Sequence, residues 1–151
     1  MAMTPEGKVK KVVRKYLDSI NDDWPDKYCY YFMPATGGYG KSGVPDIVGC
    51  YNGTFFGIEL KAGNNKPTPL QKKNLSQISM AHGIALVINE KNMDYVVPLL
   101  EVRSREIRKL YRDYDDEGKT KVVGDKEIKM TAKGVPLIPF HVLTSIYKPE
   151  D

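Results

Sequence analysis

Residues 43–61 read Gly-Val-Pro-Asp-Ile-Val-Gly-Cys-Tyr-Asn-Gly-Thr-Phe-Phe-Gly-Ile-Glu-Leu-Lys. Two apolar runs, Val44 to Tyr51 and Thr54 to Lys61, flank the pair Asn52-Gly53. An Asn-Gly pair between such runs is the strongest short-range hairpin signal, because both central positions of a type I′ turn need positive φ. With Asn52 and Gly53 as the turn, Tyr51 pairs with Thr54, Cys50 with Phe55, Val48 with Gly57 and Asp46 with Glu59. Directly paired residues point to the same side, with Cβ atoms roughly 5 Å apart. Alternation puts Lys61 on that side too, one step beyond Glu59. The register predicts two carboxylates and one lysine at the open end of the hairpin. The rest of that face is apolar: Val48, Cys50 and Phe55.

Upstream of the hairpin, Thr4 and Pro5 suit the N-cap and first position of a helix. Val9, Val12, Val13, Tyr16, Leu17 and Ile20 follow at helical spacing. The lysines and arginine between them (Lys8, Lys10, Lys11, Arg14, Lys15) read either as a solvated helix face or as a phosphate-tracking surface. Asn21 to Asp26 end that helix, aromatic-rich Tyr28 to Met33 reads as a strand, and a glycine-rich loop fills Thr36 to Gly43. Downstream, Thr68 to Ala81 reads as a second helix ending at Gly83, and Ile84 to Ile88 as a short buried strand. The order is helix, three strands, helix, strand: an α/β layer whose middle strands, apolar on both faces, call for cover on both sides. Asp94 to Tyr114 looks largely helical, with Pro98 as an interruption. Asp115 to Lys121 is charged and turn-like. Lys126 to Tyr147 is expected to add one or two strands around Pro136 and Pro139.

The chain has 151 residues, 41% hydrophobic and 28% charged, which suits a single globular domain with a real core. We expect one domain over 1–151, with its core in 4–90 and a C-terminal extension over 91–151. The net charge of +4 is compatible with a polyanionic partner without requiring one. Cys29 and Cys50 are too few for a disulfide framework and sit in apolar runs as small hydrophobes. His82 and His141, far apart in sequence, suggest no zinc site. With no apolar signal core at the N-terminus and no run long enough to span a bilayer, the expectation is an intracellular protein without a membrane partner.

Like charges facing each other across a sheet destabilise it, so Asp46 opposite Glu59 beside an apolar surface needs a reason. One reason is a hard divalent cation such as Mg²⁺, which takes oxygen ligands and keeps several waters. Such a cation binds phosphoryl oxygens and lowers the pKa of a bound water, and Lys61 beside it would orient that water or the phosphate. The competing reason is a pair of salt bridges from Lys61 to both acids at a solvated strand end.

Gly43-Val44-Pro45-Asp46-Ile47-Val48, then Phe56-Gly57-Ile58-Glu59-Leu60-Lys61-Ala62-Gly63, then Thr68-Pro69-Leu70-Gln71 opening the next helix, resemble the PD-(D/E)XK nuclease superfamily and, within it, the VRR-NUC type. The resemblance covers roughly residues 4 to 90. It implies a restriction-endonuclease-like α/β core: helix, three-strand antiparallel meander, helix, strand. It also implies a metal-dependent endonuclease that hydrolyses DNA, with Mg²⁺ or Mn²⁺ held by Asp46, Glu59 and the backbone carbonyl of Leu60. Gln71 matches a glutamine near such active sites, although Thr68-x-x-Gln71 is also a capping box. An acidic residue of the first helix often completes the site, and Glu6 is the candidate. As a carboxylate at a helix N-terminus it also has a purely structural use. Small stand-alone enzymes of this kind, often from bacteriophages or bacteria, resemble structure-specific nucleases acting on Holliday junctions or flaps. The resemblance therefore points to a cytoplasmic location, the host's if phage-encoded, and a symmetrical junction would call for a homodimer. The alternative is a non-catalytic nucleic-acid-binding protein on the same fold.

Ala35 to Ser42 nearly imitates a phosphate-binding P-loop. However, Ala35 stands where glycine belongs, and Gly43-Val44-Pro45 leads into a strand where a helix should start. The loop reads better as a neighbour of the active site, with Lys41, Ser42 and backbone N–H groups available to DNA phosphates, or as a plain connector.

Overall fold

The structure, a computed structural model, describes residues 2–35, 40–112, 121–130, 139–143 and 145. The chain divides into two compact units, Met1–Arg108 and Lys109–Asp151. The first holds helix α1 (Pro5–Ile20), strands β1 (Cys29–Phe32), β2 (Ile47–Tyr51) and β3 (Thr54–Leu60), helix α2 (Pro69–Met80), strand β4 (Ile84–Ile88) and most of helix α3 (Val96–Arg112). Val96, Leu100 and Ile107 of α3 are buried in the same cluster as α1 and the sheet.

Local chemistry sets the elements. Thr4 caps α1 by accepting the Gly7 N–H at 3.0 Å. Asn21, just past α1, holds the start of β1 with two hydrogen bonds to the Cys29 backbone, at 2.7 and 3.1 Å. Asn52 and Gly53 carry φ of +43° and +85°, as a type I′ turn requires. The strands lie in the order β1-β2-β3-β4, the first three antiparallel and β4 parallel to β3.

The hairpin register matches the sequence reading: Tyr51 pairs with Thr54, Cys50 with Phe55 and Val48 with Gly57. The ladder stops at Ile47–Ile58, one pair short of Asp46 and Glu59. Pro45 has no N–H to extend it, so the strand expected from Val44 starts at Ile47 instead.

The two faces of this sheet differ. On one, Cys29, Ile47, Tyr51, Phe56, Ile58, Leu60, Ile84 and Ile88 form a continuous core with Val9, Val13 and Leu17 of α1 and with α3. Deep burial there pushes the Cys29 thiol up to about 12, so it behaves as an inert apolar group. On the other face lie Cys50, Val48, Phe55, Gly57 and Glu59. Helix α2 covers it over Gly57, where an added Cβ would come within 2.7 Å of Ile78 Cδ1.

Two expectations need correction. Pro98 does not interrupt a helix: it lies in the first turn of α3, where a backbone N–H has no intrahelical partner to lose. In the second unit, a hairpin joins β5 (Lys121–Val123) to β6 (Lys126–Ile128) through Gly124-Asp125, with Gly124 at φ +64°. It begins within what reads as a charged turn. The strand expected around Pro136 lies outside the described residues. After Pro139 the chain forms a helical turn, α4 (Phe140–Leu143), with the Val142 N–H donating to the Pro139 carbonyl. Among the described residues no helix is long and apolar enough to cross a membrane.

Candidate active site

Asp46, Glu59 and Lys61 converge where the β2–β3 ladder ends. Asp46 Oδ2 accepts the Leu60 N–H at 2.7 Å, so the aspartate side chain takes up the hydrogen bond that the missing ladder pair would have made. A strand residue's N–H and C=O leave along the same edge in an antiparallel ladder. The Leu60 carbonyl therefore faces the Asp46 side, past the last β2 pair. Lys61 turns its own N–H the other way, to the Ile88 carbonyl at 2.9 Å.

Glu59 is only 2% exposed, and its two oxygens have unequal fates. Oε1 lies 3.4 Å from Lys61 Nζ. Oε2 is buried with no hydrogen-bond partner, the sole such side-chain atom among the described residues. Burial, then the charge of Asp46, pushes the Glu59 carboxyl up to about 7, against the opposing pull of Lys61. Among the described residues Lys61 makes no ion pair with Asp46, so a lysine bridging both acids does not account for the cluster.

This donor set fits a hard cation: two carboxylates and one backbone carbonyl on one rim, with a buried oxygen lacking any partner. No group of three or more His, Cys, Asp or Glu gathers among the described residues. Mg²⁺ and Mn²⁺ tolerate a shell completed by water.

The remaining expected residues fall into two groups. The loop end is pinned onto α2: buried Asn74 donates to the Ser42 carbonyl at 3.1 Å, and Lys41 Nζ donates to Gln77 Oε1 at 3.0 Å. Gly43, at φ +74°, packs where a Cβ would meet the Leu70 backbone at 2.9 Å. These contacts hold Pro45 and Asp46 at the site entrance, and no helix follows Lys41-Ser42 as a P-loop would need. Sequence reading missed Asn74, a polar residue that is the one buried side chain of α2.

Gln71 completes the capping box, its Oε1 accepting the Thr68 N–H at 2.8 Å while the Gln71 N–H donates to Thr68 Oγ1. Glu6 stands exposed in the first turn of α1, and no hydrogen bond or ion pair among the described residues ties it to the carboxylates.

No protein-family profile matches the sequence, and no curated protein does. Among solved structures, the chain is similar to one described as a VRR_NUC domain. Identity is 20%, the match covers 63% of this chain and 96% of that one, and the TM-score is 0.50. At that identity the likeness is one of fold: the mixed α/β architecture is of the restriction-endonuclease-like VRR-NUC type.

Proposed function

We propose that this protein is a metal-dependent endonuclease that hydrolyses DNA phosphodiester bonds, with its active site at Asp46, Glu59 and Lys61. The observation that carries this reading is the buried Glu59 Oε2 without a partner, beside a second carboxylate. A chain selected for stability alone would remove such an atom or pair it, since an orphaned buried polar group costs about 1–3 kcal/mol. The VRR-NUC type of fold supports the same reading.

Asp46, Glu59 and the Leu60 carbonyl would hold Mg²⁺ or Mn²⁺. When bound, the cation supplies Lewis acidity toward water and charge compensation for the phosphoryl group. Asp46 holds the Leu60 N–H, which fixes the peptide whose carbonyl faces the site. Lys61, only 13% exposed, keeps a cationic head at Glu59 and would orient the attacking water or a phosphate oxygen. Lys41 and backbone N–H groups of the loop end would meet DNA phosphates. Substrates of defined structure, a four-way junction or a flap, belong to this proposal, and a two-fold junction would bring in a homodimer.

The test is cleavage of labelled duplex, flap, four-way junction and single strand with Mg²⁺ or Mn²⁺, against EDTA and Asp46→Ala. Cutting that needs the metal and falls at least about 1,000-fold in the variant is the expected result. Binding without any cutting would point to a non-catalytic DNA-binding protein on the same fold. Full activity in Asp46→Ala would overturn the assignment.

A further inference from the structure

The site shares its sheet face with a row of exposed aromatics. Tyr30 pairs with Cys50, which pairs with Phe55, so these three side chains stand on one side of the sheet. Two residues along, Phe32 pairs with Val48 and Val48 with Gly57. Two residues further in the same direction are Asp46 and Glu59. Each step along a strand pair of residues is about 7 Å. The face therefore runs from an aromatic row, through Phe32, to the carboxylates.

Helix α2 covers the Gly57 side of this face and leaves the β1 side open. Tyr30 is 69% exposed, Phe32 53% and Phe55 49%. Beyond Tyr30 the series continues with Tyr28 and Trp24, whose rings meet edge to face at 5.4 Å; Trp24 is 67% exposed.

A large aromatic left in water forfeits the burial that makes it worth having. Isolated exposed apolar residues need no explanation, but a contiguous set leading into a reactive site does. The exposed members are aromatic rather than aliphatic, and aromatic rings at alternate positions of a strand stack bases on other nucleic-acid-binding sheets. The cations stand at the carboxylate end of the face, away from the exposed Asp22, Asp23 and Asp26 beside Trp24. Lys61 lies on the same face, and Lys41, at the end of the loop before β2, is bonded to Gln77 of α2. Flat rings beside fixed positive charge match the two halves of an unpaired strand, its open base faces and its phosphates. A duplex hides its base faces and leaves nothing for the rings to stack on.

We infer that Tyr30, Phe32 and Phe55 form a stacking track that delivers single-stranded DNA to the Asp46–Glu59 end of the sheet. The track rests on the nuclease reading for what happens at its end. It makes the substrate one with an unpaired strand, such as a flap or an open single strand, rather than continuous duplex.

Trp24 is the only tryptophan, so its fluorescence can follow binding in EDTA, where no cleavage can occur. Titration with an oligothymidylate should quench it and give a Kd at least tenfold below that for duplex of equal length. The double variant Tyr30→Ala, Phe32→Ala replaces exposed rings only, so its fold should hold. It should bind the oligothymidylate roughly tenfold or more weakly while duplex binding stays constant. Tyr30→Trp with Phe32→Tyr should restore tight binding, which a merely structural role would not predict.

Unchanged single-strand affinity in the double variant would overturn the track. So would a dimer of the wild-type protein that the double variant loses, because the rings would then be an interface between copies. Tight ring-dependent binding by a protein that never cleaves leaves the track standing and removes the nuclease reading. Cleavage of duplex and flap at equal rates, indifferent to the rings, does the reverse.

Discussion

On the sheet face packed by α1 and α3, every large apolar side chain of β2 and β3 is buried, and the Tyr51 hydroxyl that enters it finds the Glu101 carboxylate. On the opposite face the pattern inverts: Phe55 of β3 and two aromatics of β1 stand in water, while Glu59 is buried with half its carboxylate unpaired. One set of strands thus carries two designs. The first face follows the rule that burial of apolar area stabilises and buried polar groups are satisfied. The second breaks both halves of that rule within a few residues of the same hairpin. Departures of this kind concentrate where a protein acts on something else.

The contrast can be sharpened by mutation. Leu17→Ala, on the packed face, should destabilise the protein by about 2–5 kcal/mol, read by urea or thermal unfolding. A loss under about 1 kcal/mol would mean that this face is not a closed core.

A smaller effect is expected from pH. Glu59 in the fold holds its proton up to about pH 7, against an ordinary value of 4.5. From pH 4.5 to 7 the unfolded chain has released a proton that the native one retains, so metal-free stability should fall as pH rises through that window and level off above it. The groups acting on Glu59 there are Asp46 and Lys61, and the size is on the order of 3 kcal/mol. Unfolding in EDTA at a series of pH values checks this. Glu59→Gln should flatten the slope; a slope that survives the substitution belongs to another group. The smallest effect is Tyr30→Ser, at a side chain 69% exposed, which should change stability by less than about 1 kcal/mol. A larger loss would show that the open face is covered after all.

Much of this was legible in the residues themselves. Asn52-Gly53 set the turn, the turn set the register, and the register alone brought Asp46, Glu59 and Lys61 together. Helix starts at Thr4 and Thr68 were visible as caps. What stayed hidden depends on neighbours rather than on the local chain. Tyr28 to Met33 read correctly as a strand, but alternation cannot say that β1 is an edge whose outer rings stay exposed. Pro98 read as a break because its position within α3 depends on where the helix starts, and the first turn forgives a missing N–H. The unpaired state of Glu59 Oε2 is a fact of packing around it. Past Arg108 the cues are weaker, and the β5–β6 hairpin turns on Gly124-Asp125, a turn signal in a stretch too polar to read as paired strands.

The most direct measurement is Mn²⁺ binding by calorimetry to the wild-type protein and to Glu59→Gln at pH 7.5, with folding of both verified by circular dichroism. A cation-binding reason for the second face predicts saturable binding by the wild-type protein, weakened at least tenfold in the variant, with a rise in melting temperature on metal addition only in the former. Equal Mn²⁺ affinity in both, or none in either, would contradict it.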